Sequence, residues 1–177
     1  YTQSDEITVL IHGYRTLESQ PHRGNREQKL ISDFSGPTSS HFTRLSHRIW
    51  NPGKIEGIKD AAFAAAVFTV PENDVTNFFL WRQKDAIRNS VQMLTRSLYS
   101  HRSVEGCNIT QMKEMCRAKG KSWEDLDLRW QRGACVYRKF DNTRGNIVVD
   151  TNIPLFNKDR EYVEQHLVVD EGSSSDV

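Results

Sequence analysis

The chain has 177 residues with 24 Lys and Arg against 23 Asp and Glu, enough length for one mid-sized core and a charge sum that neither predicts nor excludes an anionic partner. Its three cysteines, Cys107, Cys116 and Cys135, are odd in number and form no C-x-x-C, which argues against a disulfide framework or a zinc site and for a reducing, cytoplasmic setting. No run reaches the roughly 18–20 apolar residues of a membrane span, so a soluble protein without a membrane partner is expected.

The first predicted element is a buried strand, Asp5 to Ile11, because its apolar residues are dense and β-branched; "HGY" then supplies turn chemistry. The chain enters this strand almost at once, as expected of a fragment of a longer protein. Thr16 to Arg26 reads as a loop, and "NREQKLISDF" as a helix capped by Asn25 that Gly36-Pro37 should end or kink. "AAFAAAVFTV" (61–70), closed by Pro71, is expected to be a strand. Glu72 to Ser100 is the clearest helix. At about 100° per residue, Leu80, Ile87, Val91, Leu94 and Leu98 form one stripe, opposite Arg82, Asp85, Asn89, Gln92 and Arg96. Phe78, Phe79 and Trp81 fall off that stripe, so this end should be enclosed on several sides, with Arg82 and Asp85 placed where unpaired charge is costly. A second helix, about Ile109 to Lys119, follows Asn108 and is ended by Gly120, and "SWED" carries a Ser-x-x-acid cap. "ACVYRKF" and "NIVVD" form a hairpin across Asp141 to Gly145, "NKDREYVEQHL" a short helix and "EGSSSDV" a frayed tail.

Several side chains can carry chemistry. Asp5 and Glu6 offer carboxylate oxygens suited to Mg²⁺, although adjacent strand residues point to opposite faces and solvated acidic pairs are common at strand ends. Lys29 and Ser32, at i and i+3 near a helix start, can hold phosphate or simply form a solvated face. Arg82, Asp85 and Asn89 make either a polar row facing a nucleotide or an internal ion pair that positions the helix. Lys113, Arg117, Lys119, Lys121, Arg129, Arg132, Arg138 and Lys139, with Trp123 and Trp130 nearby, suit an RNA backbone as well as they suit ordinary surface charge over core tryptophans. The six histidines show no metal spacing.

Three stretches carry a resemblance. "QSDEITVLI" resembles the Gln-Ser-Asp-Glu strand of the tRNA-His guanylyltransferase superfamily, and "FFLWRQKDAIRNSVQ" its Trp-Arg-Gln helix. "VVDTNIPLFNKDREYVE" is similar to the C-terminal segment of the bacterial and phage-type members, the guanylyltransferase-like proteins. The likeness covers roughly residues 1 to 170. It implies an α+β fold: the second half of a ferredoxin-like polymerase palm with its long helix at 1–100, a C-terminal helical and β-hairpin region at 101–170, and a tail at 171–177. The implied activity is 3′-to-5′ addition of nucleotides, typically G, to the 5′ end of tRNA, with two Mg²⁺ ions, GTP and ATP as substrates, and homotetramers as the assembly. Carried over by position, Asp5 would bind the metals, and Ser4 would contact nucleotide phosphate. Lys29 would bind a triphosphate with Ser32 close by, and Arg82, Asp85 and Asn89 would support the second nucleotide site, with Glu6 turned away.

The departures matter too. Ile87, Arg88, Asn89 and Ser90 stand where the guanylyltransferases proper have His-Ile-Asn-Asn, which places the chain with the like-proteins, whose members tend to repair truncated tRNA 5′ ends. Phe63, Ala64, Ala65 and Ala66 replace Phe-Asp-Ala-Arg, and the family's first metal-binding Asp-Gly would lie upstream of Tyr1. This chain alone is therefore expected to be inactive. The alternative is a non-catalytic tRNA-binding or assembly protein derived from the family.

Overall fold

The structure, a computed structural model, describes residues 1–11, 20–50, 59–141 and 144–167. In chain order its elements are β1 (Thr2–Gln3), β2 (Glu6–Ile7), α1 (Glu27–Trp50), α2 (Glu72–Leu98), α3 (His101–Val104), α4 (Ile109–Ala118), α5 (Leu128–Arg132), β3 (Cys135–Asp141), β4 (Arg144–Asp150) and α6 (Glu161–Glu164). The strands form two antiparallel pairs, β1–β2 and β3–β4, so the fold is α+β as expected. Two compact units divide the chain: Tyr1–Leu10 with Pro71–Val168, and Ile11–Val70 with Val169–Val177. No helix among the described residues is long and apolar enough to cross a membrane.

The first unit is organised around α2, whose inward face is wider than the apolar stripe. Val91 packs with Val104, Met112 and Trp123, against which Ile87, Leu94 and Leu126 also lie. Beside this aliphatic seam Gln83, Ser90 and Thr95 are buried as deeply as Ala86. Each is buried because it is satisfied, which removes the penalty on a buried polar group. Gln83 donates to Pro154 O at 2.9 Å and accepts from Phe156 N–H at 2.8 Å. Ser90 Oγ donates to Trp130 O at 2.5 Å and accepts from the Trp123 indole at 2.9 Å. Thr95 Oγ1 donates to Val91 O at 2.7 Å. A wheel drawn from apolar residues alone therefore misses half of the buried face. Trp81 is 57% exposed while Phe79 is buried, so the start of α2 is enclosed on one side only.

Downstream α4 and the β3–β4 pair form as expected, while of "NKDREYVEQHL" only Glu161–Glu164 is helical. A capping box of Asn108 and Gln111 opens α4, and Gly120, at φ 70, follows its end. At "SWED" the chain makes a single tight turn, Trp123–Asp125. Ser122 Oγ donates to the Glu124 carboxylate at 2.6 Å instead of capping a helix. The β3–β4 register runs from Cys135↔Asp150 to Asp141↔Arg144, and residues 142–143 of the expected turn lie outside the described residues. So do His12 with the rest of the "HGY" turn, residues 16–19 of the expected loop, and the "EGSSSDV" tail.

Two strand expectations need correction. The strand expected from Asp5 to Ile11 is ordered only at Glu6–Ile7, with Val9, Leu10 and Ile11 all more than a third exposed. A strand is stabilised by its neighbour, and β2 pairs only with the two-residue β1 among the described residues.

In the second unit, residues 61–70 form no ladder and lie extended along α1, with the Ala61 and Phe63 amides donating to Thr43 Oγ1 and Ser39 Oγ at 2.9 and 2.8 Å. Burial alternates with a strand's period of two: Ala61, Phe63, Ala65 and Val67 are half-buried, and Ala64 and Ala66 are exposed. The stretch thus alternates as a strand does, but α1 hydroxyls take the place of a partner strand. Contacts of this kind also bear on Gly36-Pro37, which neither ends nor interrupts α1. A proline inside a helix costs about 3 kcal/mol, which the packing of Phe42 on Phe63 and the hydroxyl bonds can offset. Nor does Asn25 cap α1. It sits at φ 54 in a left-handed turn, and the first helical bonds run to Arg26 O.

Candidate functional site

The β1–β2 hairpin carries the acidic pair at its tip. Register Gln3↔Glu6 leaves Ser4 and Asp5 as a two-residue turn, with Ser4 at φ 56, a left-handed conformation that a residue with a Cβ adopts only when its surroundings impose it. The surroundings are visible. Thr2 exchanges two 2.9 Å backbone bonds with Ala134, and the Tyr1 hydroxyl donates to Arg132 O at 2.9 Å, so the hairpin is fastened to the chain between α5 and β3. That close approach requires Gly133, at φ 89, where a Cβ would lie 2.6 Å from Thr2 O and 2.8 Å from the Tyr1 ring. Gly133→Ala should therefore destabilise the first unit by about 1–3 kcal/mol and speed amide exchange at Thr2 and Ala134. Unchanged exchange there would show the hairpin to be held by other means.

The second fastening is electrostatic. Glu6 pairs with Arg82 on α2, and the guanidinium also lies 5.1 Å from the Trp81 ring centre. The Arg82 side chain is only 15% exposed, so this pairing resolves the charge cost expected from its aromatic surroundings. Glu6 is thus not turned away: the tight turn points it across at α2 and leaves Asp5 at the exposed tip. Farther along α2, Ser4 Oγ lies 3.3 Å from Met93 Sδ, while Asn89 donates to Asp85 at 3.3 Å. Burial raises the Tyr1 phenol's pKa, and Cys135, Glu6 and Asp85 push it the same way, evidence that hairpin, α2 and β3 converge.

Of the seven residues singled out in sequence, Ser4, Asp5, Arg82, Asp85 and Asn89 are thus gathered in the first unit, on one turn and one side of one helix. Lys29 and Ser32 lie on α1 of the second unit. Both are exposed, and Ser32 Oγ donates to Gln28 O at 2.8 Å, inside its own helix. Asp33, one residue on, accepts from Arg23 Nε at 2.5 Å, which holds its carboxyl below the usual range.

The fit to Mg²⁺ can be judged from these commitments. Mg²⁺ takes one or two protein carboxylates and completes its shell with water and phosphate. Glu6 is paired with Arg82 and Asp85 with Asn89, which leaves Asp5, without a hydrogen bond among the described residues, as one available ligand at the hairpin. No group of three or more His, Cys, Asp or Glu side chains suited to a metal occurs among the described residues. Asp5 therefore fits one ligand position, and the described residues do not amount to a two-ion centre.

The basic stretch divides as well. Lys113 and Arg117 reach Glu124 at 3.0 and 3.2 Å, and Lys113 Nζ lies 3.8 Å from the Trp123 ring centre. Bonds from Ser122 and Lys113 hold the Glu124 carboxyl down at about 2. Arg129, by contrast, lies over the exposed ring of Trp130, 5.0 Å from its centre.

No protein-family model matches the sequence, and no curated protein matches it. Solved structures do. A bacterial tRNA(His) guanylyltransferase-like protein in complex with ATP shares 33% identity at a TM-score of 0.83, over 96% of this chain and 70% of that one. One in complex with GTP shares 30% at 0.70, over 94% of this chain and 66% of that one. Identity at this level, over nearly the whole of a chain whose "QSDE" turn is fastened to its "WRQ" helix, means that the protein belongs to the tRNA(His) guanylyltransferase superfamily of nucleotidyltransferases.

Proposed function

We propose that the full-length protein is a Mg²⁺-dependent 3′-to-5′ nucleotidyltransferase that adds nucleotides, typically G, to the 5′ end of tRNA during maturation or 5′-end repair. It would use ATP and GTP, act in the cytoplasm and assemble as a homotetramer. The observation that carries this reading is the 33% identity to an ATP-bound relative across 96% of the chain. In this reading residues 1–100 belong to the palm, 101–170 to the C-terminal region and 171–177 to a tail. Asp5 is the catalytic metal ligand, and Ser4, Lys29, Ser32, Arg82, Asp85 and Asn89 bind nucleotide.

Bound Mg²⁺ would stabilise charge on the attacking and leaving oxygens. The chain's own residues prepare the site for that. The hairpin turn presents Asp5 without a hydrogen bond among the described residues, Glu6 holds Arg82 on α2, and Asp85 accepts from the Asn89 amide. Since Asp5 is one ligand of a centre that needs more, the 177-residue chain alone is expected to show no turnover. The test is nucleotide addition by the full-length protein to 5′-monophosphorylated tRNA; no addition with any tRNA or nucleotide would overturn the reading.

The second reading, a non-catalytic tRNA-binding or assembly protein, has one observation in its favour. Ala64 and Ala66 are both exposed and carry no chemistry where the family has an acid and an Arg. A full-length protein inactive as it stands, and still inactive after Ala64→Asp and Ala66→Arg, would favour it.

A further inference from the structure

We propose that the cleft between residues 126–129 and 151–152 takes one unpaired nucleotide of an RNA strand, with Trp130 at its rim as the stacking platform. The cleft has a volume of about 340 Å³ and is lined by Leu126, Asp127, Leu128, Arg129, Thr151 and Asn152. That size stands at the lower end of the range of small-ligand sites, roughly 300–1,000 Å³. Arg129 forms part of the wall and also lies over the Trp130 indole, so the ring adjoins the cleft.

The two tryptophans here are treated in opposite ways. Trp123 is buried and its indole N–H is bonded to Ser90, the ordinary fate of a tryptophan in a folded protein. Trp130 has its backbone pinned by the same Ser90 hydroxyl, yet its ring is 55% exposed. An exposed ring on a fixed backbone loses little freedom when a base stacks on it, and every base offers a π-face.

Both walls of the cleft are held as firmly. Gln131 Nε2 donates to Glu124 O at 3.1 Å and Leu126 O at 2.7 Å, while the Asn152 backbone N–H donates to Asp150 Oδ1 at 2.8 Å. The side chains they present divide the chemistry of a nucleotide between them. Arg129, which has no carboxylate partner among the described residues, suits a phosphate. Asp127 accepts from an exocyclic amino group, and the Asn152 amide can pair with a base edge. Unpaired bases splayed onto aromatic and guanidinium planes are the usual targets of RNA recognition, and here an exposed indole lies next to a guanidinium, 5.0 Å from the ring centre.

This deepens the tRNA reading, and it is tested with the full-length protein by titrating a short single-stranded oligoribonucleotide and a tRNA transcript while following indole fluorescence. Trp130→Ala is expected to weaken oligonucleotide binding roughly 5- to 150-fold, the effect of one base–aromatic stack, and Trp130→Phe to retain most of it. Arg129→Ala should lower the slope of log affinity against log salt by about one. Equal binding by wild type and Trp130→Ala, or equal loss in Trp130→Ala and Trp130→Phe, overturns the proposal. Nucleotide addition to tRNA that persists with oligonucleotide binding indifferent to Trp130 overturns the cleft alone. A Trp130-dependent oligonucleotide complex in a protein that does not act on tRNA overturns the tRNA reading alone.

Discussion

In the full-length protein, Asp5→Ala is expected to lower nucleotide addition to 5′-monophosphorylated tRNA by about 10²–10³-fold or more while leaving the fold intact. Removing a metal ligand forfeits several kcal/mol of transition-state charge stabilisation, and each 1.36 kcal/mol is about tenfold in rate. The position is unusually clean for such a test. Asp5 sits at an exposed turn and makes no hydrogen bond among the described residues, so the substitution should move stability by no more than about 0.5 kcal/mol. The loss should fall on turnover at saturating nucleotide, because the residues proposed to bind nucleotide, Ser4, Lys29, Ser32, Arg82, Asp85 and Asn89, are left in place. A variant that keeps its rate, or one that loses it only by unfolding, would remove Asp5 from the chemistry.

The second large effect is structural. Gln83→Met keeps the volume but leaves two backbone groups, the buried Phe156 N–H and the part-buried Pro154 C=O, without the partners that the Gln83 amide supplies at 2.8 and 2.9 Å. Each orphaned group costs about 1–3 kcal/mol, so the first unit should lose roughly 2–5 kcal/mol. The urea midpoint should fall with little change in slope, and the Phe156 amide should exchange faster. A shift under about 0.5 kcal/mol would mean that other groups or water satisfy this corner. Phe156 is fully buried, lies edge-on to Tyr1 and stacks on Tyr162, so loosening it should also reach the segment that fastens the hairpin.

What could be read in the sequence follows from how local its causes are. The helix opening at Glu72, the capping box at Asn108 and the β3–β4 pair were legible because apolar period, cap chemistry and turn residues act within a few positions of one another. The candidate site was half legible. "QSDE" and "WRQKDAIRNS" identified Asp5, Arg82, Asp85 and Asn89 by resemblance, but neither periodicity nor spacing could place Glu6 against Arg82, seventy-six positions away. Gln83, Ser90 and Gly133 gave no local sign of their parts, and nothing local told Trp130 from Trp123. A glutamine on a helix reads as solvated until its two backbone partners arrive from residues 154 and 156. A glycine after a helix reads as a stop signal until another strand passes within van der Waals range of where its Cβ would be.

The corrections share that cause. Residues 61–70 carry strand composition and alternate as a strand does, yet form no ladder, since a ladder needs a neighbour that composition cannot provide. Pro37 carries an intrinsic penalty that sequence assigns correctly, and contacts from residues 61 and 63 outweigh it. By itself the sequence determined α2, α4, the hairpin of β3 and β4, the fold class and the family, all of which rest on short-range periodicity or on recognisable runs of residues. Tertiary structure alone decided which polar groups are buried, which acid of the pair meets Arg82 and which tryptophan is buried, because each depends on partners that only folding brings within reach.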